Sequence, residues 1–306
     1  MDLAVLVVNA GSTSLKLSLV EGDESRVVSA FEPADAVAHR IVHGGTVFRE
    51  PVVVDDRVVV ELDRLSELAP LHNGPALRAL ADARRALPEV PHVAVFDTAF
   101  HATMPEIATT YAVPPSLRLR RFGFHGLAVQ SVAEQVRVPR LVVCHLGGGC
   151  SVTAVRDGRS IETSMGFTPL EGVPMTTRSG SVDPAAVLRV VRQHGLDETE
   201  RILEHESGLL ALSGFSSDVR ELEGDPRGAF ALELFAYRVA QAAAACAVAL
   251  GGVDVLAFSG GIGEHSSRVR DAVACRLGFL GSFGVQVVVA REELVAARET
   301  RRLLRR

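Results

Sequence analysis

Residues 5–20, VLVVNAGSTSLKLSLV, alternate apolar and polar positions on either side of Asn9-Ala10-Gly11-Ser12-Thr13-Ser14, a pattern that predicts a β-hairpin with a turn of small polar residues. Neither Gly11 nor the short hydroxyl side chains would block an anion from the backbone N–H groups, so the turn is a candidate phosphate loop. Strand-like RVVSAF and AHRIVHGG follow, and PVVV and RVVV are expected to pair across Asp55-Asp56. APLHNGP reads as a turn whose Pro75 starts the helix ALRALADARRAL, and HVAVF as a buried strand ending at Asp97. A proline-rich connection over 105–115 leads to RRFGFHG. LVVCHL then runs into GGGCS, with VTAVRDG and SIETSM as the next two strands. Apolar strand, Gly/Ser turn, second strand: this repeats the opening and predicts two related domains, each offering a phosphate-binding turn to a shared cleft.

Further on, GFTPLEGVP is too rich in Gly and Pro for a regular element and reads as an ordered loop before TTRSG. Helices are expected over 184–203, with SGFSSD capping the next helical stretch. The alanine-rich helix 231–250 should pack under strand 253–258, which ends in a third glycine turn, SGGIGEH.

Several residues carry candidate chemistry. His39 and His43 have the i, i+4 spacing of a metal pair on a helix, but Ile41-Val42 between them favours a strand, where they would sit about 13 Å apart, so a zinc site is rejected. Arg40 points to the other face and is a candidate anion ligand, a surface ion pair being the alternative. Asp97, directly after a buried strand, stands where open α/β sheets place ligands, the alternative being a helix N-cap. Lys16 is the only lysine among 32 basic residues; a compact ammonium kept beside the Ser/Gly turn points to phosphate, against a plain surface lysine on a strand. Arg178, among small residues in TTRSG, is a second candidate anion ligand.

Composition narrows the classes. At 306 residues, 47% apolar and 23% charged, the chain can bury more than one core. Its net charge of −5 is spread along the sequence, and the final RRLLRR is read as complementing a helix C-terminus, so nucleic acid is not an expected partner. MDLAVLVV lacks the organisation of a signal peptide. The run 239–253, mostly alanine, falls short of a bilayer span of about 20 residues and is read as a buried helix, so no membrane association is expected. Cys144, Cys150, Cys246 and Cys275 show no CxxC spacing and read as reduced core thiols of a cytoplasmic protein.

Three glycine-rich turns after apolar strands point to a nucleotide, yet there is no GxxxxGK[ST] and no GxGxxG after a strand. That leaves an α/β fold of two actin/hexokinase-like (ribonuclease H-like) domains with mixed sheets around a central cleft. The motifs NAGSTSLK, HRIVHGG, APLHNGP, VFDTAFHATMP, RRFGFHG, HLGGGCS, TSMGFTPLEG, TRSGSVDP, SGLLALSGFSSDVR and GGVDVLAFSGGIGEHS, in this order, resemble those of acetate kinases. The resemblance spans nearly the whole chain, which is shorter than typical members after Val20 and between Leu280 and Val287.

That resemblance implies a first domain of residues 1–99 and 293–306 for acyl substrate and phosphate, and a second of 100–292 for nucleotide binding and dimerisation. It implies ATP-dependent, reversible phosphorylation of acetate to acetyl phosphate, with ATP/ADP as co-substrate and Mg2+, or Mn2+, held by Asn9 and Glu292. Asp97, His125 and Arg178 would be catalytic. Arg40 would bind the carboxylate and Val42, Leu71, Phe124 and Pro169 its alkyl group. Ser12, Ser14, Lys16, His145, Leu146, Gly147, Gly148, Gly149, Asp218, Val219, Arg220, Gly261, Ile262, Gly263, Glu264 and His265 would contact ATP. A homodimer is implied as well. Propionate or another short-chain acid is the alternative substrate. Three departures stand out, Gly148 for Asn, Val129 for His and His265 for Asn; Gly148, Val129 and the shortened loops raise a further alternative, a catalytically impaired nucleotide-binding paralogue.

Overall fold

The computed structural model describes residues 3–10, 15–65 and 70–305. In chain order its first elements are β1 (Val5–Ala10), β2 (Leu15–Glu21), β3 (Glu24–Val28), β4 (Ala36–Ile41), β5 (Val52–Val53), α1 (Asp56–Leu65), α2 (Pro70–Ala86), β6 (His92–Phe96), α3 (Glu106–Thr109) and α4 (Gly126–Gln135). They are followed by β7 (Arg140–Leu146), β8 (Cys150–Arg156), β9 (Arg159–Thr163), α5 (Pro184–His194), α6 (Leu196–His205), α7 (Gly208–Ser213), α8 (Val219–Gly224), α9 (Ala229–Leu250), β10 (Val255–Ser259), α10 (Gly260–His265), α11 (Ser267–Arg276), β11 (Gly284–Val287) and α12 (Glu292–Leu304).

The chain divides into two compact units, Met1–Ala102 with Phe124–Ser131 and Arg291–Arg306, and Thr103–Gly123 with Val132–Ala290. The first sheet runs β3-β2-β1-β4-β6-β5 and the second β11-β10-β7-β8-β9. In each, an antiparallel three-strand meander continues from its first strand into two parallel strands, β1 to β4 and β6, and β7 to β10 and β11. The strand repeat legible in the sequence is thus a repeat of topology.

In the first unit, side-chain alternation sorts the sheet into two faces. Val5, Val7, Ala36, Ala38, Val93 and Val95 pack with Val295, Ala296 and Ala297 of α12, while Leu6, Val8 and Val37 pack with Ala79 and Ala83 of α2. Arg301, buried near the end of α12, donates to the carbonyls of Leu3, Val20 and Gly22. One arginine of the basic C-terminal helix therefore fastens that helix to the opening hairpin.

On the α2 face, His39 is 1% exposed and stacks on His92 with ring centroids 5.2 Å apart. His92 Nε2 lies 2.9 Å from the Leu87 carbonyl and therefore donates to it, so its Nδ1 accepts from His39 Nε2 at 2.9 Å. Both rings are neutral, and His39 Nδ1 makes no hydrogen bond among the described residues. Burial, with His92 and Arg84 adding to it, pushes His39 down to about 3. A folded-state pKa below the unfolded value of about 6.5 gives stability that is complete above pH 6.5 and is lost as the pH falls towards 3. From pH 7 to pH 5 the wild type should lose about 2 kcal/mol more unfolding free energy than His39→Leu. Urea titrations of both at the two pH values check this, and equal losses would refute it.

Five expectations need correction. RVVV is not a strand: β5 pairs antiparallel with β6, and α1 begins at Asp56. Asp55 Oδ1 accepts the N–H of Val58, an N-cap, and burial of Leu62 and Leu65 one turn apart outweighs the β-propensity of three valines. Pro75 lies inside α2, which starts at Pro70, so the helix tolerates one missing N–H. Helix α9 lies against β8, β7 and β9, and SGGIGEH closes into α10 at the end of β10. Cys144, Cys150 and Cys246 are buried as expected, whereas Cys275 is exposed on α11.

Candidate active site

Asn9, Arg40 and Asp97 come from the carboxyl ends of β1, β4 and β6, three parallel neighbours, where an open sheet leaves backbone and side chains free for ligands. Their parity matches Val7, Ala38 and Val95, so all three face α12, whose first residue is Glu292. Arg40 Nε and Nη2 donate to Asp97 Oδ1 and Oδ2 at 3.0 and 2.6 Å, a bidentate pair. Arg40 Nη1 reaches Asn9 Oδ1 and Glu292 Oε2, each at 3.2 Å. Arg40 is 19% exposed and Asp97 1%.

Burial pushes the Asp97 carboxyl up from its ordinary value, the Arg40 fork pulls it down and Glu292 adds to the rise. On Arg40, burial opposes the charge, but Asp97 and Glu292 outweigh it and the guanidinium pKa is raised. The two shifts pull in opposite senses on the carboxylate. Bidentate, charge-assisted geometry decides, and the pair is ionised at neutral pH. Asn9 Oδ1 and Glu292 Oε2 are hard oxygen donors converging on one Arg40 nitrogen, a donor set that suits a small divalent cation retaining much of its water. Lys16 is exposed and directly opposite Asn9 in the hairpin register. Ser12 and Ser14 lie outside the described residues, as does the Leu71 side chain.

His125 is held by its neighbours. Buried His101 donates Nε2–H to the Phe124 carbonyl at 2.8 Å, and the Gly126 N–H donates to the Asp97 carbonyl at 3.0 Å. Between these anchors His125 adopts φ +59°, uncommon for a residue with a Cβ. A Cβ on Gly126 would fall 2.0 Å from the Asp97 carbonyl oxygen. Gly126→Ala is therefore expected to lower stability by about 2–4 kcal/mol and to displace His125. Denaturation midpoint and turnover check this, and a variant of wild-type stability and activity would refute it. Phe124, 1% exposed, meets the His43 ring edge-on at 5.4 Å, while Val42 is half-buried.

In the second unit, Gly147, Gly148, Asp218, Val219, Arg220, Gly261, Ile262 and His265 line one pocket of about 440 Å³. It is assembled from the turn after β7, the start of α8 and the α10 segment after β10. Asp218 caps α8 through the Arg220 N–H, and Arg220 Nη2 returns to Asp218 at 2.6 Å. Gly149 and Glu264 serve the turns themselves, accepting from the Gly147 and Gly260 N–H groups. Leu146 is buried in β7, and the Gly263 carbonyl accepts from Arg270. His145, half-buried, is the β7 residue paired with Ser259. A Cβ at Gly148 would meet nothing within 4 Å, so the missing side chain there leaves open space. Val129, the second departure, is fully buried in α4.

Arg178 Nε lies 2.9 Å from Glu204 Oε2 without hydrogen-bond geometry. Pro169 is buried within its loop. Sequence reasoning passed over Glu204, His101 and the pocket residues Thr176, Ser217, Glu223 and Ser266. Only His101 carried a signal, being a histidine one turn beyond Asp97.

The repeated sheet, with polar residues gathered at the carboxyl ends of its parallel strands in each unit, defines a two-unit α/β protein of the actin/hexokinase-like class. A family model described as "Acetokinase family" matches residues 23–302, and the chain belongs to that family. It is 41% identical over 300 residues to an acetate kinase from Oceanobacillus iheyensis, covering 92% of this chain and 76% of the relative. Among solved structures it is similar to a propionate kinase from Francisella tularensis, with TM-score 0.89, 31% identity and coverage of 98% and 99% of the two chains. The acetate kinase from Porphyromonas gingivalis gives TM-score 0.88 and 30% identity over 98% and 99%.

Proposed function

We propose that this chain transfers the γ-phosphoryl group of ATP to acetate, reversibly giving acetyl phosphate and ADP. The observation that carries the reading is the ionised Arg40–Asp97 pair, flanked by Asn9 and Glu292, at the carboxyl ends of β1, β4 and β6. A carboxylate acceptor is already ionised at pH 7, so no base need remove a proton from it. What remains is positioning and charge neutralisation. Arg40 has its fork fixed by Asp97 and its side chain 19% exposed, which suits it to receive the acid's carboxylate. The alkyl group is assigned to Val42, Leu71 and Phe124, and to Pro169.

His125 and Arg178 are assigned to the transferring phosphoryl oxygens, with Lys16, Ser12 and Ser14 at the phosphates. Asn9 and Glu292 would hold Mg2+ or Mn2+, which supplies charge neutralisation between phosphates when bound. The 440 Å³ pocket has the size for a nucleoside and takes the adenosine. Free buried thiols at Cys144, Cys150 and Cys246 accord with a reducing cytoplasm. A homodimer is part of the reading: Phe230, Tyr237 and Val248 of α9 are exposed and α5 buries none of its apolar residues, and sedimentation velocity tests it.

Incubation with ATP, Mg2+, acetate and hydroxylamine should yield acetohydroxamate, and folded protein giving none above a no-enzyme control would refute the reading. Likeness to a propionate kinase keeps propionate as the second substrate to assay. One methylene is worth roughly 1–3 kcal/mol in an apolar pocket, so a chain-length series of kcat/KM separates the two acids.

A further inference from the structure

The loop of residues 166–174 carries Pro169 and is closed from below by a polar clamp. Tyr111 Oη donates to Glu171 Oε2 and accepts the Phe167 N–H at 2.8 Å. Arg121 Nη1 donates to Glu171 Oε1 at 2.9 Å, and Arg121 Nη2 to the Thr163 carbonyl at 2.6 Å, just before the loop begins. The Gly166 carbonyl accepts from the Phe122 N–H at 3.0 Å. Beyond Glu171, Gly172 and Ser181 exchange two hydrogen bonds, the Gly172 N–H to Ser181 Oγ at 3.0 Å and the Ser181 N–H to the Gly172 carbonyl at 2.9 Å. A Cβ at Gly166 would fall 1.7 Å from Glu171 Oε2 and 2.2 Å from Tyr111 Oη, so the clamp occupies the space a side chain would take.

These anchors fix Phe167 and Glu171 at the two ends of a short arc, Thr168, Pro169 and Leu170, which carries one bond of its own from the Leu170 N–H to Thr168 Oγ1 at 3.2 Å, so the clamp sets where the arc that holds Pro169 begins and ends. Burial and Glu171 push the Tyr111 phenol above its ordinary value, so it remains a donor across the neutral range. Well-packed apolar side chains commonly stabilise as well as a partly buried ionic group or better. What fixed polar geometry adds here is a single position for the arc.

We infer that Tyr111, Arg121 and Glu171 are positioning residues for acid-chain-length selection, acting through the backbone that presents Pro169. The inference rests on the proposed assignment of Pro169 to the alkyl group. A rigid arc sets the depth available to the acid, and a loosened one admits a longer chain at the expense of packing against a shorter one. Neither Tyr111 nor Glu171 lines the 440 Å³ pocket, so nucleotide binding should not feel the change.

Tyr111→Phe keeps the ring and removes the hydroxyl that joins Glu171 to Phe167. Glu171→Gln keeps the shape and removes the charge facing Arg121. In each, acetate KM should rise and the ratio of kcat/KM for propionate over acetate should increase by about threefold or more, a fraction of what one methylene commands. ATP KM should stay within about twofold, the spread expected where no interaction with the nucleotide is removed. An unchanged acid ratio in folded variants, or a fall in kcat equal for every acid, overturns the inference. So does failure of both variants to fold, which would make the clamp an element of stability alone. If the wild type itself turns over no short-chain acid, the proposed function fails; if it does and the variants keep its selectivity, only this inference fails.

Discussion

Arg40→Ala is expected to produce the largest loss of stability, about 3–5 kcal/mol, because truncating one partner of a buried ion pair strands the other as an uncompensated charge. Asp97, 1% exposed, would keep its carboxylate and lose both donors. Chemical denaturation measures this, and a cost under about 1 kcal/mol would contradict the burial of the pair. The double variant Arg40→Ala/Asp97→Ala should recover part of the loss, since neither charge is then stranded; simple additivity would show that the two do not act together. Kinetically, Arg40→Ala should raise acetate KM clearly and leave ATP KM near normal. Arg40→Lys should rescue poorly, because a point charge cannot serve Asp97 through two parallel donors while facing a substrate carboxylate.

Arg178→Ala is expected to lower kcat by about 100- to 1,000-fold with acetate KM changed little, the scale of removing one donor to a developing oxyanion. The expected effect is on the transition state because of when the contact would form. Arg178 forms an ion pair with Glu204 at 2.9 Å, and it is expected to meet the phosphoryl oxygens only as charge develops on them. An interaction that forms only as charge spreads over the phosphoryl oxygens lowers the barrier without tightening the ground state. Full activity in a folded Arg178→Ala protein would remove Arg178 from the catalytic set, whereas a rise in acetate KM at constant kcat would assign it to ground-state binding.

The sequence by itself determined the pieces that repeat or alternate. An apolar strand, a glycine turn and a second strand occur twice, and each instance became the first hairpin of a sheet of the same order, because alternation at period two and small turn residues are local instructions. Alternation also set Arg40 on the face opposite His39, and the motif order was enough to suggest the family. Local signals failed where two of them competed. RVVV has strand propensity, yet Asp55 as a cap and the burial of Leu62 and Leu65 made it helical, and Pro75 sits inside a helix that began earlier.

Only the tertiary structure decided the site's electrostatics. Asn9, Arg40, Asp97 and Glu292 are far apart in sequence, and what brings them together is parallel strand register and the docking of α12 on one face of the sheet. Whether Arg40 was a surface ion pair or a buried fork depended on Asp97 being enclosed, which no local pattern encodes. The same holds for Arg301, whose guanidinium caps carbonyls at the ends of the opening hairpin, and for Glu171, whose loop position says nothing of Tyr111 and Arg121 beneath it. Charge acquires its meaning from burial and partners, and both are properties of the folded chain.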